Sequence, residues 1–173
     1  GSDSHTTTYG ALGAFSAGIG RSEMAALYAT SRIWLKTPAS TRIVVTGRLS
    51  EPITAKDLIL HIIGTVGADG SLYRSVEYAG EAVEAMSVAS RMVLCNMAIE
   101  MGAKNGYCAP DNKTYAFLES RAETQYTPVF PDADADYEDV LEFDAMSLVP
   151  QIAKPHSVDN VSPIGDVAGM PIQ

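Results

Sequence analysis

The chain has 173 residues with 12 basic and 21 acidic side chains, a formal net charge of −9, and 46% hydrophobic residues. That length suits one domain or one domain with an appendage, and that apolar fraction supports a full core rather than disorder. The acidic balance and the lack of a basic patch argue against nucleic-acid binding. "DLILHII" is broken by His61 and is too short to span a bilayer, so neither nucleic acid nor membrane is an expected partner.

The first twenty residues, "GSDSHTTTYGALGAFSAGIG", hold Asp3, Ser4 and His5 side by side, then three threonines, and five glycines in all. "SEMAALYATSRIWLK" (22–36) spaces apolar residues at 24, 27, 28 and 34, which predicts a helix capped by Ser22 and stopped by Pro38. "TRIVVTGRL" (41–49) is β-branched and predicts a strand. A second helix is predicted from about Thr54 to Gly64 or Gly67, with Thr54 and Asp57 at capping-box spacing, although Asp replaces the favoured Glu or Gln. "SVEYAG" (75–80) predicts a short strand and "EAVEAM" one helical turn. The strongest helix is expected over Ser87–Ala103, with Ser87 at its cap and Gly102 at its end. "YCAP" predicts a short buried strand, 111–122 an amphipathic helix, and 138–143 and 148–153 two further strands. The tail from His156 is punctuated by Pro and Gly and predicts loop. Strands alternating with helices predict an α/β layered domain with an at least partly parallel sheet.

Several motifs fail on inspection. Gly18-Ile-Gly20 begins a dinucleotide fingerprint, but Glu23 stands where the third Gly belongs, and no GK[ST] is present. Close packing of a backbone segment is the better account of those glycines. Asp132, Asp134 and Asp136 open like a calcium loop, but Tyr137 and Phe143 occupy the positions that require Gly and Glu, which leaves a solvated acidic turn. Cys95 and Cys108 form no CxxC, match a reduced cytoplasmic setting, and by themselves cannot hold an iron–sulfur cluster.

Two constellations carry chemistry. In Asp3-Ser4-His5, a carboxylate beside an imidazole can set the ring's charge and tautomer, provided an irregular turn lets the three side chains face one ligand. Asn96 and Glu100 lie four apart on the strongest helix and so share a face within an otherwise apolar segment. On spacing alone, Glu100 either turns to water or is held for a purpose.

The segments "DSHTTTYGALGAFSAGIG", "AKDLILHIIGTVGADG", "VEYAGEAVEAMSVASRMVLCNMAIEMGAKNG" and "AKPHSVDNV" together resemble the large subunits of 3-isopropylmalate dehydratase and the related homoaconitase, in the aconitase superfamily. The resemblance runs end to end. It implies a three-layer α/β/α aconitase-type domain with a partly parallel, mixed sheet, and a division in which residues 1–38 end the first such domain and 39–173 form the second with its exit linker. It implies a cytoplasmic hydro-lyase that dehydrates and rehydrates a hydroxy di- or tricarboxylate, with a [4Fe–4S] cluster in the parent enzyme and a separate small subunit as partner. It assigns Asp3, Ser4, His5 and Glu100 to catalysis and places Asn96 near the cluster. The family's cluster cysteines correspond to neither Cys95 nor Cys108. The chain is therefore expected to be a piece cut just before its DSH motif, to bind no cluster by itself, to turn over no substrate alone, and to self-associate through an apolar face left bare. A stand-alone binding domain is the competing reading.

Overall fold

The computed structural model describes residues 1–171; Ile172 and Gln173, the end of the predicted tail, lie outside the described residues. The core elements follow the local rules closely. Strand β1 (Ser40–Thr46) buries Thr41, Ile43 and Val45 in alternation, as a pleated strand with one packed face must. Helix α2 (Ala55–Val66) starts at a complete capping box: Thr54 N and Oγ1 donate to Asp57 Oδ2 at 2.9 and 2.7 Å, and Asp57 N donates back to Thr54 Oγ1 at 3.5 Å. It ends at Gly67, whose φ of 86° suits glycine. Strand β2 (Ser75–Ala79) leads into the single-turn helix α3 (Glu81–Ala85).

Helix α4 (Val88–Met97) is capped by Ser87 Oγ, which accepts from Ser90 N. It tightens into a 3₁₀ turn over Ala98–Met101 and stops at Gly102 in the left-handed region. The start and stop agree with the expectation, but the last turn is not α-helical, so Glu100 sits on the 3₁₀ turn. Strand β3 (Asn105–Cys108) and helix α5 (Asn112–Leu118, capped by Asp111) follow. Strand β4 (Asp139–Asp144), strand β5 (Gln151–Ala153) and strand β6 (Val161–Pro163) complete the regular elements.

The main sheet has the order β3-β2-β1-β4 and is parallel throughout; antiparallel pairing is confined to the small β5–β6 sheet. The register aligns Thr41 with Val76 and Ile43 with Tyr78, and Tyr78 with Cys108, so these residues share one face. That face packs with Leu58, Ile59, Ile62 and Ile63 of α2 and with Leu94, Cys95, Ala98 and Met101 of α4 and its 3₁₀ extension. The opposite face is more polar: Arg42 Nε lies 3.4 Å from Glu77, and Tyr137 OH donates to Glu77 Oε2 at 2.6 Å. Tyr115 and Leu118 of α5 and the extended segment 126–131 border this face across a cavity of about 690 Å³. Helices on one side, a parallel sheet, and α5 with its following segment on the other give the expected α/β architecture.

Three local expectations differ. Helix α1 spans Arg21–Thr30, not 22–36: Gly20 stands at its cap with no side-chain cap, and Ser31 turns left-handed at its end. It buries no residue, and Tyr28 and the following Trp34 are 83% and 85% exposed, so the apolar spacing read there marks no core face. The opening residues, mostly poor helix formers, nonetheless make a nine-residue 3₁₀ helix, Ser4–Leu12. The tail pairs as β6, whose three residues fall below what a sequence pattern resolves.

The 3₁₀ helix Ser4–Leu12 packs on α4 and β3. Gly10 makes this possible: a Cβ there would stand 1.5 Å from the carbonyl oxygen of Gly106. Gly106 in turn lies against α4, where a Cβ would meet Cys95 Cα at 2.9 Å. Glycine is required at both positions by close approach of backbones. Gly10→Ala is expected to cost about 3 kcal/mol or more, because neither backbone can retreat without moving the sheet, and thermal unfolding measures it.

Asp57 also ties α2 to β5, accepting from Gln151 N at 2.9 Å. Burial raises its carboxyl, but the hydrogen bonds from Gln151 and Thr54 outweigh this and hold it below the usual carboxylate range. A carboxyl held below its unfolded value stabilises the fold at pH above that value, about 4, and the contribution is lost as pH falls through the folded value. Asp57→Asn should flatten the acid limb of the stability–pH curve measured by urea unfolding.

Candidate active site

The structure brings Asp3, Ser4, His5, Asn96 and Glu100 together from chain segments some ninety residues apart. Asp3 caps the 3₁₀ helix: its Oδ1 accepts from His5 N at 2.7 Å, and its carbonyl accepts from Thr6 N and Thr6 Oγ1. This tight turn is the irregular geometry that lets neighbouring polar side chains face one side. Ser4 Oγ lies 3.1 Å from His5 Nδ1, and His5 Nε2 lies 3.4 Å from Glu100 Oε1. The imidazole is 42% exposed and the Glu100 side chain 32%, so the pair is half-buried with one side open.

The hydrogen-bond inventory orders the ring's protons. An ionised Glu100 can only accept, so Nε2 is the donor in that contact. In the neutral ring Nδ1 then accepts, and the Ser4 hydroxyl donates to it. The Asp3 carboxylate stands 3.9 Å from Nδ1. A histidine with carboxylates on two sides and one open edge can accept a proton and return it.

Asn96 reaches the same turn from α4. Its Nδ2 donates to Thr8 Oγ1 at 2.9 Å, its carbonyl accepts from the fully buried Thr7 Oγ1 at 3.2 Å, and Thr8 Oγ1 donates to His5 O at 2.6 Å. Thr8, Asn96 and Lys56 border an open groove of about 350 Å³.

Behind the turn, Gly18 lies against Asp3 and Ser4, where a Cβ would come within 2.9 Å of Asp3 O. Lys104 Nζ donates to Gly18 O at 3.0 Å, and Ser16 donates twice, from its N to Asn105 Oδ1 and from its Oγ to Thr6 O. Sequence reasoning missed Thr7, Thr8, Ser16 and Lys104. The only signal for them was the run of three threonines, which has no partner until the fold supplies Asn96.

The cysteines belong to the core. Cys95 and Cys108 are 0% and 1% exposed, with Sγ atoms 3.7 Å apart. Burial first, and the neighbouring Cys108 second, push the Cys95 thiol up, the opposite of what a thiolate ligand needs. These residues do not fit an iron–sulfur cluster, and among the described residues no group of three or more His, Cys, Asp or Glu could hold a metal ion. Native chain should therefore resist iodoacetamide at neutral pH, and both thiols should react once it is unfolded in urea; a mass spectrum counts the adducts.

A parallel α/β scaffold thus sets a histidine of the opening 3₁₀ helix against a glutamate of the 3₁₀ turn that follows α4. The aconitase family model (aconitate hydratase) matches residues 1–172, and the chain belongs to that family. It is similar to 3-isopropylmalate dehydratase large subunit 1 of Methanopyrus kandleri, 53% identical over 99% of this chain and 41% of that protein. It is also similar to the probable methanogen homoaconitase large subunit of Methanosarcina mazei (51%, 98% of this chain, 43% of that protein) and to the 3-isopropylmalate dehydratase large subunit of Halothermothrix orenii (49%, 96%, 40%). The chain spans about two fifths of the length of the curated relatives it matches.

Proposed function

We propose that this chain is the DSH-bearing segment of the large subunit of a hydro-lyase that dehydrates and rehydrates a hydroxy dicarboxylate, with isopropylmalate as the substrate. The observation that carries this reading is the 3.4 Å approach of His5 Nε2 to Glu100 Oε1 across two separate elements. The printed names of the relatives support isopropylmalate in two of the three comparisons above, and the Methanosarcina relative supports homoaconitase as the second reading.

In this reading His5 keeps its Nε2–H on Glu100, and Nδ1, beside Asp3, is the nitrogen that meets the departing hydroxyl or the returning water and takes up its proton. Glu100 hydrogen-bonds the water network beside the ring. Ser4 faces the substrate, and Asn96 would stand near the cluster that the family implies. The family implies a [4Fe–4S] cluster in the parent; its ligands would come from outside this chain, because the two thiols here are packed in the core. Residues 1–38 would close one aconitase-type domain and 39–173 form another, working in the cytoplasm with a separate small subunit. Among the described residues no helix is long and apolar enough to cross a membrane.

The test is made on the full-length gene product, co-expressed with a neighbouring small-subunit gene and purified without oxygen. Hydration–dehydration of isopropylmalate is expected, and His5→Ala or Glu100→Gln should lower kcat by about 10²–10⁴-fold. Turnover of homoaconitate alone would move the assignment to the second reading. Absence of activity on any hydroxy acid, or unchanged kcat in both variants, would overturn it.

A further inference from the structure

The Asn96 amide and the His5 carbonyl meet at one hydroxyl, that of Thr8, which nothing above assigns to the chemistry. A threonine hydroxyl has one proton. In this structure it goes to His5 O at 2.6 Å, so Oγ1 meets the Asn96 amide as an acceptor, and the amide presents its NH₂ at 2.9 Å. This fixes which end of the amide faces inward. Oδ1 makes no hydrogen bond among the described residues and is the free end of the group beside the groove lined by Thr8, Lys56, Met92, Val93, Asn96 and Met97. The same hydroxyl anchors the carbonyl of the residue whose ring meets Glu100.

We propose that Thr8 is a positioning residue: its hydroxyl sets the polarity of the Asn96 amide, so that a carbonyl oxygen is the group offered to donors on the open side, and it locks the His5 turn at the distance that pairs Nε2 with Glu100. The donors that this oxygen would suit are a water or a substrate hydroxyl, whereas a carboxylate would be repelled by it. Thr8→Val keeps the shape, removes the acceptor and the donor together, and frees the amide to flip. Thr8→Ser keeps both and removes only a methyl group.

Two measurements test this, and only the second rests on the hydro-lyase reading. On this chain, ¹⁵N-edited NMR follows the side-chain amide protons of Asn96. Slowed exchange of one proton is expected in wild type and in Thr8→Ser and lost in Thr8→Val, with melting temperatures alike. In the full-length enzyme with its small subunit, Thr8→Val should lower kcat at least about tenfold with a smaller change in KM, and Thr8→Ser should restore it to within about threefold. Equal amide exchange in all three chains would overturn the proposal, as would a serine variant as impaired as valine, which would show the methyl group to matter and not the hydroxyl. If the enzyme has no hydro-lyase activity while the amide signal still depends on the Thr8 hydroxyl, the functional reading fails and the positioning role of Thr8 stands.

Discussion

The structure depends on a backbone-to-backbone contact. Gly10 of the opening 3₁₀ helix rests on the carbonyl of Gly106 in β3, and Gly106 rests on α4 at Cys95. Three elements stack there with no side chain between two of the pairs. The polar links between the opening turn and α4 follow from this approach. Thr7 and Thr8 reach Asn96 because the 3₁₀ helix lies directly on α4, and His5 reaches Glu100 because α4 continues as a 3₁₀ turn beneath the cap formed by Asp3. A side chain at either glycine would raise the whole turn off the helix.

The same economy runs through the support around the site. Besides its side-chain links to α4, the N-terminal turn is held by hydrogen bonds to main-chain groups: Thr6 to Asp3, Ser16 to Thr6, Lys104 to Gly18. Elsewhere, buried Arg91 is satisfied by the carbonyls of Val83 and Glu84 and by Asp111, which also caps α5. One guanidinium therefore fixes the end of α3 and the start of α5 relative to α4. Buried polar groups that are satisfied in this way hold geometry without the cost of stranded charge.

Much of the scaffold was legible in the sequence because its signals are local. Thr54 and Asp57, Ser87, Gly67 and Gly102 each mark a helix end through their own side chain or their lack of one, and the β-branched run at 41–46 marks β1. The tightening of α4 at Ala98 left no trace, since Ala-Ile-Glu-Met suits an α-helix as well as a 3₁₀ turn and only packing chooses between them. Trp34 extended the apolar spacing of α1 past the point where Ser31 ends the helix, because periodicity records apolar residues and not whether anything covers them. In the site, the adjacency of Asp3, Ser4 and His5 was plain, and the spacing of Asn96 and Glu100 was plain. Their meeting was not, for it is decided by Gly10 and Gly106, residues with no functional group to notice. The family resemblance supplied what the local signals lacked.

His5 and Glu100 are separated by 95 positions along the chain, and this distance has a kinetic meaning. Bringing two such residues together in a flexible chain costs about 4 kcal/mol of loop-closure entropy, taking three-halves RT ln n. No local segment can repay that, so the pair is absent from the unfolded ensemble and from any intermediate in which α4 has formed but the opening turn has not docked. Its appearance reports the docking of the opening turn on α4 and its 3₁₀ extension. A chain arrested on the way would carry the histidine and the glutamate as two separate groups, and the pair exists only once that turn has closed.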